Sequence, residues 1–235
     1  MRMTQTYIEN FDRGPGGWIG WKSNEAGALA LEVLNGELVT RSPWWIDYNH
    51  APPGGGYMNL LYCLHTTAHA YRHPQERQCG GPNHFVDGGF STDFTGARVT
   101  LRLRGEISLC GAQLVLLAQA VVGEVSVNSV LTGQPIGVTE ELSEQTITLD
   151  PDPEQWLCMG SRHDRTETYG WGEIGDVLGD LNVDIIFVLF PLEVVPLEKL
   201  KDDLHRLRAG EEYIADPSLL PSGHVMLDEV RIEFP

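Results

Sequence analysis

The segment from Arg98 to Arg104 alternates strictly between apolar and polar residues. A period of two puts Val99, Leu101 and Leu103 on one face of an extended strand and the polar side chains on the other. On a helix the same residues would form no apolar stripe, so the segment is predicted to be a half-buried strand. The fold must therefore supply a sheet that packs one face on a core.

Turn signals organise the rest of the chain around similar strands. Asn35-Gly36, a dipeptide that tolerates positive φ, predicts a hairpin between Ala28–Val33 and Glu37–Thr40. Gly105-Glu106 is predicted to end the strand that begins at Arg98. Four further runs have the composition of strands: Gly111–Val122, Thr146–Leu149, Asp184–Phe190 and Val225–Phe234.

Helix signals are sparse. Pro196, followed by leucines at spacings of three and four, predicts one amphipathic helix that ends near Gly210. A shorter helical turn is predicted from Glu173 to Leu181. No alternation of strands with helices is visible, which excludes Rossmann and TIM-barrel folds.

The size and composition suit one folded unit. The chain has 235 residues, 42% of them hydrophobic, with 26 Gly and 14 Pro and no repeat or linker that would separate two cores. We therefore expect an all-β fold over residues 1–235: a single-domain, antiparallel, jelly-roll-like β-sandwich with one or two short helices in its connections.

The charge balance limits the classes of partner that the protein is expected to bind. Against 33 acidic residues stand 16 Lys and Arg, and the formal net charge of -17 repels phosphate backbones and anionic lipid. Neither nucleic acid nor a membrane is expected as a partner. The longest apolar run, Ile185 to Leu192, contains Pro191 and is too short to span a bilayer.

The N-terminus and the cysteines bear on the compartment. No apolar signal core follows Met1, which predicts a cytoplasmic protein, whereas a chain trimmed of its leader would be secreted. The four cysteines form no C-x-x-C pair and are expected to be reduced and structural.

Three short segments carry a resemblance. Ile8-Glu9-Asn10-Phe11-Asp12 with Gly16-Gly17-Trp18 resembles the first strand of concanavalin A-like and galactose-binding-like jelly rolls, and Leu227 to Ile232 resembles their last. Asp93 to Thr100 resembles their central strands. The resemblance implies that the first and last strands are neighbours, and it implies a tendency toward sugars without fixing an activity. The Glu-x-Asp-x-x-Glu motif of the retaining hydrolases in that superfamily has no counterpart here, which argues against that activity.

The densest group of candidate residues lies between Ser42 and His73. Pro52-Pro53-Gly54-Gly55-Gly56 cannot form regular structure, so Trp44 to Tyr57 is predicted to be a loop. Loops with aromatic and titratable groups on a stiff sandwich commonly bind ligands. A structural loop and an interaction surface are the alternatives.

Specific roles follow from side-chain chemistry. In a catalytic site, Asp47 would orient His50 as a general base. Tyr48, Tyr57 or Tyr62 would donate the proton, with Tyr57 favoured as the acid. Ligand contacts are predicted for a larger set of residues: Trp45, Tyr48, Asn49, Tyr62 and His65. Neighbouring strand residues face opposite ways, so only one of Trp44 and Trp45 can line a cleft.

The polar face of the Arg98 strand offers a second set of ligand contacts. If that face is concave, Arg102 and Arg104 would present two guanidinium groups to a carboxylated ligand. Gln119, which with Gln113 is a polar member of the buried strand Gly111–Val122, is a further predicted ligand contact. The alternative is that these arginines pair with surface acids on an exposed sheet.

No cofactor and no metal are predicted from motifs. His65 and His69 have a spacing that suits metal ligands on a helix, but Thr66-Thr67-Ala68 between them is poor in helix formers. A structural Ca²⁺ at an acidic turn such as Asp150-Pro151-Asp152 has no EF-hand spacing to support it.

The function favoured by the sequence is binding of a carbohydrate-type or polyhydroxylated small ligand between the Trp44–Tyr57 loop and the Arg102/Arg104 face. One alternative is a lyase or isomerase acting on a glycoside or related small molecule, with a His base and a Tyr acid. The other is a structural or oligomerising subunit. The sequence leaves the oligomeric state open.

Overall fold

The computed structural model describes residues 5–23, 27–47, 56–161, 168–193, 195–196, 213–214 and 217–235. Its first eight strands are β1 (Thr6–Glu9), β2 (Trp18–Ser23), β3 (Gly27–Leu29), β4 (Glu32–Leu34), β5 (Glu37–Arg41), β6 (Ile46–Asp47), β7 (Tyr57–His65) and β8 (Arg98–Ser108). The next eight are β9 (Gln113–Val122), β10 (Val125–Leu131), β11 (Ser143–Thr148), β12 (Trp156–Cys158), β13 (Asp184–Leu192), β14 (Val195–Pro196), β15 (Tyr213–Ile214) and β16 (Ser222–Glu233).

Two antiparallel sheets form a β-sandwich. The six-stranded sheet has the order β11-β8-β16-β5-β4, with β1 also paired to β16. The eight-stranded sheet has the order β12-β10-β9-β13-β7-β2-β3, with β6 also paired to β7. β14 and β15 pair with each other. The fold class predicted from the sequence is confirmed, and the first and last strands are neighbours, with Tyr7 opposite Ile232.

The six-stranded sheet has one buried face. Val99, Leu101 and Leu103 of β8 point into the core, and the arginines of the same strand lie on the outer face. The predicted end of this strand at Gly105 is wrong, because β8 continues to Ser108. Position 105 requires glycine, because a Cβ there would lie only 2.3 Å from the carbonyl oxygen of His224 in the neighbouring β16.

The eight-stranded sheet is buried on both faces. One face supplies the core shared with the other sheet, and the opposite face carries a second apolar cluster that includes Met58, Leu60, Leu117 and Ile186. Strands covered on both sides read as nearly continuous apolar runs, which explains the sequence of β9 and β13. We call this second side the outer face of the eight-stranded sheet.

The hairpin at Asn35-Gly36 is present, with both residues at positive φ between β4 and β5. The segment predicted as one strand from Ala28 to Val33 is divided, because β3 pairs with β2 in the eight-stranded sheet and β4 pairs with β5 in the other. A single strand over 28–33 is therefore wrong.

Three short helices are described: α1 (Pro74–Gly80), α2 (His84–Asp87) and α3 (Ile174–Gly179). α3 confirms the helical turn expected near Glu173, whereas α1 and α2 were not predicted. The helix predicted after Pro196 lies outside the described residues. None of the described helices has the length and apolar character that a membrane span requires.

Candidate functional site

Four polar residues form one row across the outer face of the eight-stranded sheet. Asn128 lies opposite Gln119, Gln119 opposite Asp184, and Asp184 opposite His65. Residues directly opposite one another in antiparallel pairs share a face, so the four side chains are neighbours. All four are buried, and polar groups in such a position need partners to offset the loss of water. We call this set the polar row.

His65 lies between two carboxylates at the end of the row. Its Nε2 is 3.2 Å from Glu76 Oε2 and its Nδ1 is 3.6 Å from Asp184 Oδ2. Burial lowers the pKa of this imidazole, but Asp184 and Glu76 outweigh it and raise the pKa of His65 to about 9. The ring is therefore a cation at neutral pH, although neither nitrogen has the geometry of a good hydrogen bond.

Glu76 reaches this position from α1. Pro74 begins the helix, where its missing N–H costs nothing, and places Glu76 in the first turn, facing His65. Glu76 Oε2 accepts a 3.0 Å hydrogen bond from the backbone N–H of Arg72. Burial opposes ionisation, but His65 and this N–H outweigh it and lower the pKa of Glu76. Its Oε1 is buried without a hydrogen-bond partner among the described residues.

Arg72 and Tyr169 form a second polar group, which contacts the polar row at Gln119. The Arg72 guanidinium donates from Nη1 to the Tyr169 hydroxyl at 3.1 Å. The Gln119 amide lies 3.3 Å from the same hydroxyl. Turning this amide so that its nitrogen faces Asp184 allows it to donate to both carboxylate oxygens, at 3.1 and 3.3 Å.

Two tryptophans stand at the apolar end of the site. The rings of Trp21 and Trp45 are 6.5 Å apart and inclined at 47°. Asn59 holds the segment just before β6 that carries Trp45, because its side-chain amide donates to the carbonyls of Trp44 and Trp45. Trp44 points to the opposite face and lies in the core between the sheets, where its Nε1 donates to Thr40 Oγ1 at 2.9 Å.

These groups surround one pocket with about 580 Å³ of space between its walls, including the part open to solvent. The polar row and the apolar residues Met58, Leu60, Leu117 and Ile186 lie on the same face of the sheet, and the two tryptophans line the pocket with them. The lining residues are Trp21, Trp45, Asp47, Met58, Leu60, His65, Arg72, Glu76, Leu117, Gln119, Asn128, Tyr169, Asp184 and Ile186. An apolar surface with convergent polar groups is typical of small-molecule sites.

The comparisons with known proteins add little to this geometry. The chain matches no protein-family model, and no curated protein matches it. A solved structure titled as the L4b domain of human laminin alpha-2 is similar over 98% of this chain and 97% of that chain, with 8% identity and a TM-score of 0.44.

The structure brings some of the predicted site residues together. Trp45, Asp47, His65 and Gln119 all line the pocket. Tyr48, Asn49 and His50 lie outside the described residues.

Two predicted tyrosines lie elsewhere. Tyr57 is buried among the residues of the core between the sheets. Tyr62 also points into that core, where its hydroxyl donates to the carbonyl of Val225 at 2.7 Å, with the carbonyl of Leu38 3.1 Å away. Tyr62 thus links the two sheets rather than lining the pocket.

The arginines of β8 do not reach the pocket. Arg104 makes a bidentate ion pair with Glu37, at 2.8 and 2.6 Å, and Arg102 pairs with Asp228 at 2.6 Å. Both lie on the outer face of the six-stranded sheet, on the other side of the sandwich. The described ends of the Trp44–Tyr57 loop belong to the eight-stranded sheet, so among the described residues they form no cleft with this face. Pairing with acids, the alternative weighed for these arginines, is what the structure has.

Several pocket residues were not predicted as site residues from the sequence: Trp21, Arg72, Glu76, Asn128, Tyr169 and Asp184. One signal was available. Asp184 opens an otherwise apolar buried strand, and a charged residue at such a place needs a partner or a ligand.

Proposed function

We propose that the pocket on the outer face of the eight-stranded sheet binds a carbohydrate-type or other polyhydroxylated small molecule. One observation carries the proposal: the buried polar row, two indole rings and several apolar side chains line the same pocket. Sugars present hydroxyl groups at their edges and C–H groups on their faces. The row offers donors and acceptors for the former, and Trp21 and Trp45 offer flat surfaces for the latter.

The charges favour a neutral or cationic ligand over an acidic one. Three carboxylates line the pocket, from Asp47, Glu76 and Asp184, against the cations of His65 and Arg72. Arg102 and Arg104, which would have favoured a uronic acid, are paired on the other sheet. A carboxylated sugar would therefore meet repulsion in a weakly screened site.

A thermal-shift screen tests the proposal with neutral sugars, amino sugars and uronic acids. A ligand at 100 times its Kd adds about 2.7 kcal/mol of stability, which for a chain of this size raises Tm by roughly 5–10 °C. We expect shifts from neutral or amino sugars and none from uronic acids. A uronic-acid hit alone would contradict the charge argument.

Arg72→Ala and Arg102→Ala form a matched pair for placing the site. Both remove an arginine that is at least partly exposed, but only Arg72 lines the pocket. We expect the ligand-induced shift to be lost in the first and kept in the second. The reverse result would move the site to the six-stranded sheet. No shift with any class, together with a stable oligomer in solution, would favour the structural subunit.

A lyase or isomerase is the second candidate, and His65 is the observation that favours it. The imidazolium of His65 is an acid, and the carboxylates of Glu76 and Asp184 beside it are candidate bases. The Tyr169 hydroxyl lines the same pocket. The proton state of His65 suits an acid. The base expected from the sequence was a different residue, His50, which lies outside the described residues. Chromatography of each bound ligand after incubation with the protein separates the two functions, because only an enzyme yields new products.

A further inference from the structure

A third kind of group, the thiol of Cys63, lies beside the imidazole of His65 and the carboxylate of Asp184. Cys63 lies two residues before His65 on β7 and therefore on the same face of the strand. The Sγ of Cys63, one ring nitrogen of His65 and one carboxylate oxygen of Asp184 all lie within 4.8 Å of one another. All three side chains are buried. We propose that Cys63, His65 and Asp184 bind one Zn²⁺ ion, leaving a fourth coordination position toward the pocket.

The spacing suits coordination better than it suits hydrogen bonding. His65 Nδ1 is 3.6 Å from Asp184 Oδ2, too far for a good hydrogen bond. Two ligands of a tetrahedral zinc ion, with bonds of about 2.0–2.3 Å, stand roughly 3.3–3.6 Å apart. Two ligand atoms at the 4.8 Å limit would have to approach each other by roughly 1 Å, which rotation about side-chain bonds allows.

Buried groups without satisfactory hydrogen bonds are a second observation that points to a ligand. Neither nitrogen of His65 makes a hydrogen bond of good geometry, although the side chain is only 3% exposed. Buried polar groups in this state are uncommon, and a bound ion is one explanation for them. A metal at Nδ1 gives that nitrogen its partner.

The surroundings resemble those of a histidine that binds metal. With Nδ1 on the ion, the Nε2–H of His65 faces Glu76 Oε2 at 3.2 Å, and a carboxylate at this place orients the ring and raises its basicity. The Gln119 amide can donate to both oxygens of Asp184, fixing that ligand as well.

The mixture of ligand atoms selects the ion. A thiolate, an imidazole and a carboxylate together suit Zn²⁺ and chemically similar ions, whereas Ca²⁺ and Mg²⁺ prefer oxygen ligands alone. Coordination requires the thiolate and the neutral imidazole, so both groups give their protons to the buffer. His65 and Asp184 line the pocket, so water or a ligand hydroxyl can take the open position.

Spectroscopy of the cobalt-substituted protein tests the proposal directly. The full chain is treated with a chelator, dialysed, and titrated with Co²⁺ and then Zn²⁺ at pH 8. We expect one equivalent of Co²⁺ to give a sulfur-to-cobalt charge-transfer band in the near ultraviolet and strong visible bands of a tetrahedral ion, both removed by Zn²⁺. Weak octahedral bands without the charge-transfer band would overturn the proposal.

Variants locate the site. Cys63→Ser is expected to abolish the charge-transfer band and weaken Zn²⁺ binding at least tenfold, and Asp184→Asn to weaken binding by a similar factor. Cys110→Ser is the matched control, because Cys110 is an exposed thiol on the loop between β8 and β9. Binding lost in Cys110→Ser and kept in Cys63→Ser would overturn the proposal. If Cys63→Ser fails to fold, the wild-type spectrum and Asp184→Asn decide.

Discussion

The imidazole of His65 lies directly across from the carboxylate of Asp184 on neighbouring antiparallel strands, with Nδ1 and Oδ2 3.6 Å apart at the buried end of a pocket. Glu76 approaches the other nitrogen from a helix rather than from the sheet. The charged groups of the site therefore come from both the eight-stranded sheet and the helix α1. Stability and ligand binding are expected to respond together when this group is altered.

The first prediction concerns the pH dependence of stability in chelator-treated protein. The pKa of His65 in the folded state is about 9, above the usual histidine value of 6.5. The stabilisation that the charged ring gains from its carboxylates is complete below pH 6.5 and is lost as pH rises through 9, by up to about 1.4 kcal/mol per pH unit. Urea unfolding at pH 6, 7.5 and 9 should show the decline.

His65→Gln is the control for that measurement. It keeps a polar side chain at the position but removes the titration, so its stability should vary less between pH 6.5 and 9 than that of the wild type. Equal pH profiles for the two proteins would contradict the assignment of the shifted pKa to His65.

The second prediction uses two adjacent tryptophans as a matched pair. Trp44 lies in the core between the sheets, so Trp44→Ala should lower the free energy of unfolding by about 3–5 kcal/mol. Trp45 lines the pocket, so Trp45→Ala should cost only about 1–2 kcal/mol. Calorimetry of ligand binding should show about tenfold weaker affinity for Trp45→Ala, because a stacking surface is lost. Unchanged affinity would remove Trp45 from the site.

The third prediction concerns a hydrogen bond between the sheets. The Tyr62 hydroxyl, carried by β7, donates to the carbonyl of Val225 in β16. Tyr62→Phe keeps the ring but leaves a buried carbonyl without its donor, which should cost about 1–3 kcal/mol in urea unfolding. Sugar binding should be unchanged, since Tyr62 faces away from the pocket. A loss of binding without a loss of stability would restore the ligand contact predicted from the sequence.

The strands were predictable because each half-buried strand carries its own periodicity. Val99, Leu101 and Leu103 alternate with polar residues whatever lies beside them, and Asn35-Gly36 encodes its turn locally. The division of residues 28–33 between two sheets was not predictable, since both halves are extended and nothing local says which strand each will pair with.

The polar row was hidden for the same reason. Asn128, Gln119, Asp184 and His65 are far apart in the sequence, and only the register of four strands brings them together. The aromatic and histidine-rich composition of residues 42–73 did indicate Trp45, Asp47 and His65. The arginines of β8 were misplaced because alternation defines two faces of a strand without saying which face meets a ligand.

The fourth prediction concerns Gly17, part of the Gly16-Gly17-Trp18 segment before β2. It has a φ of 98°, and a Cβ there would lie 2.7 Å from the Cα of Asn83. Asn83 caps α2 through Phe85 and Val86, and its amide donates to the carbonyl of His65 at 2.8 Å. Gly17→Ala should therefore displace a residue that supports the site as well as strain its own backbone.

Gly14→Ala separates the clash from the backbone strain. Gly14 has a φ of 110°, and a Cβ there would have no atom within 4 Å. Strain alone should cost about 1–2 kcal/mol in this variant, whereas Gly17→Ala should cost more than about 3 kcal/mol and also weaken ligand binding. Urea unfolding of both variants gives the comparison. Equal losses would mean that Asn83 moves aside freely, and that the contact between Gly17 and Asn83 does not hold α2 and His65 in place.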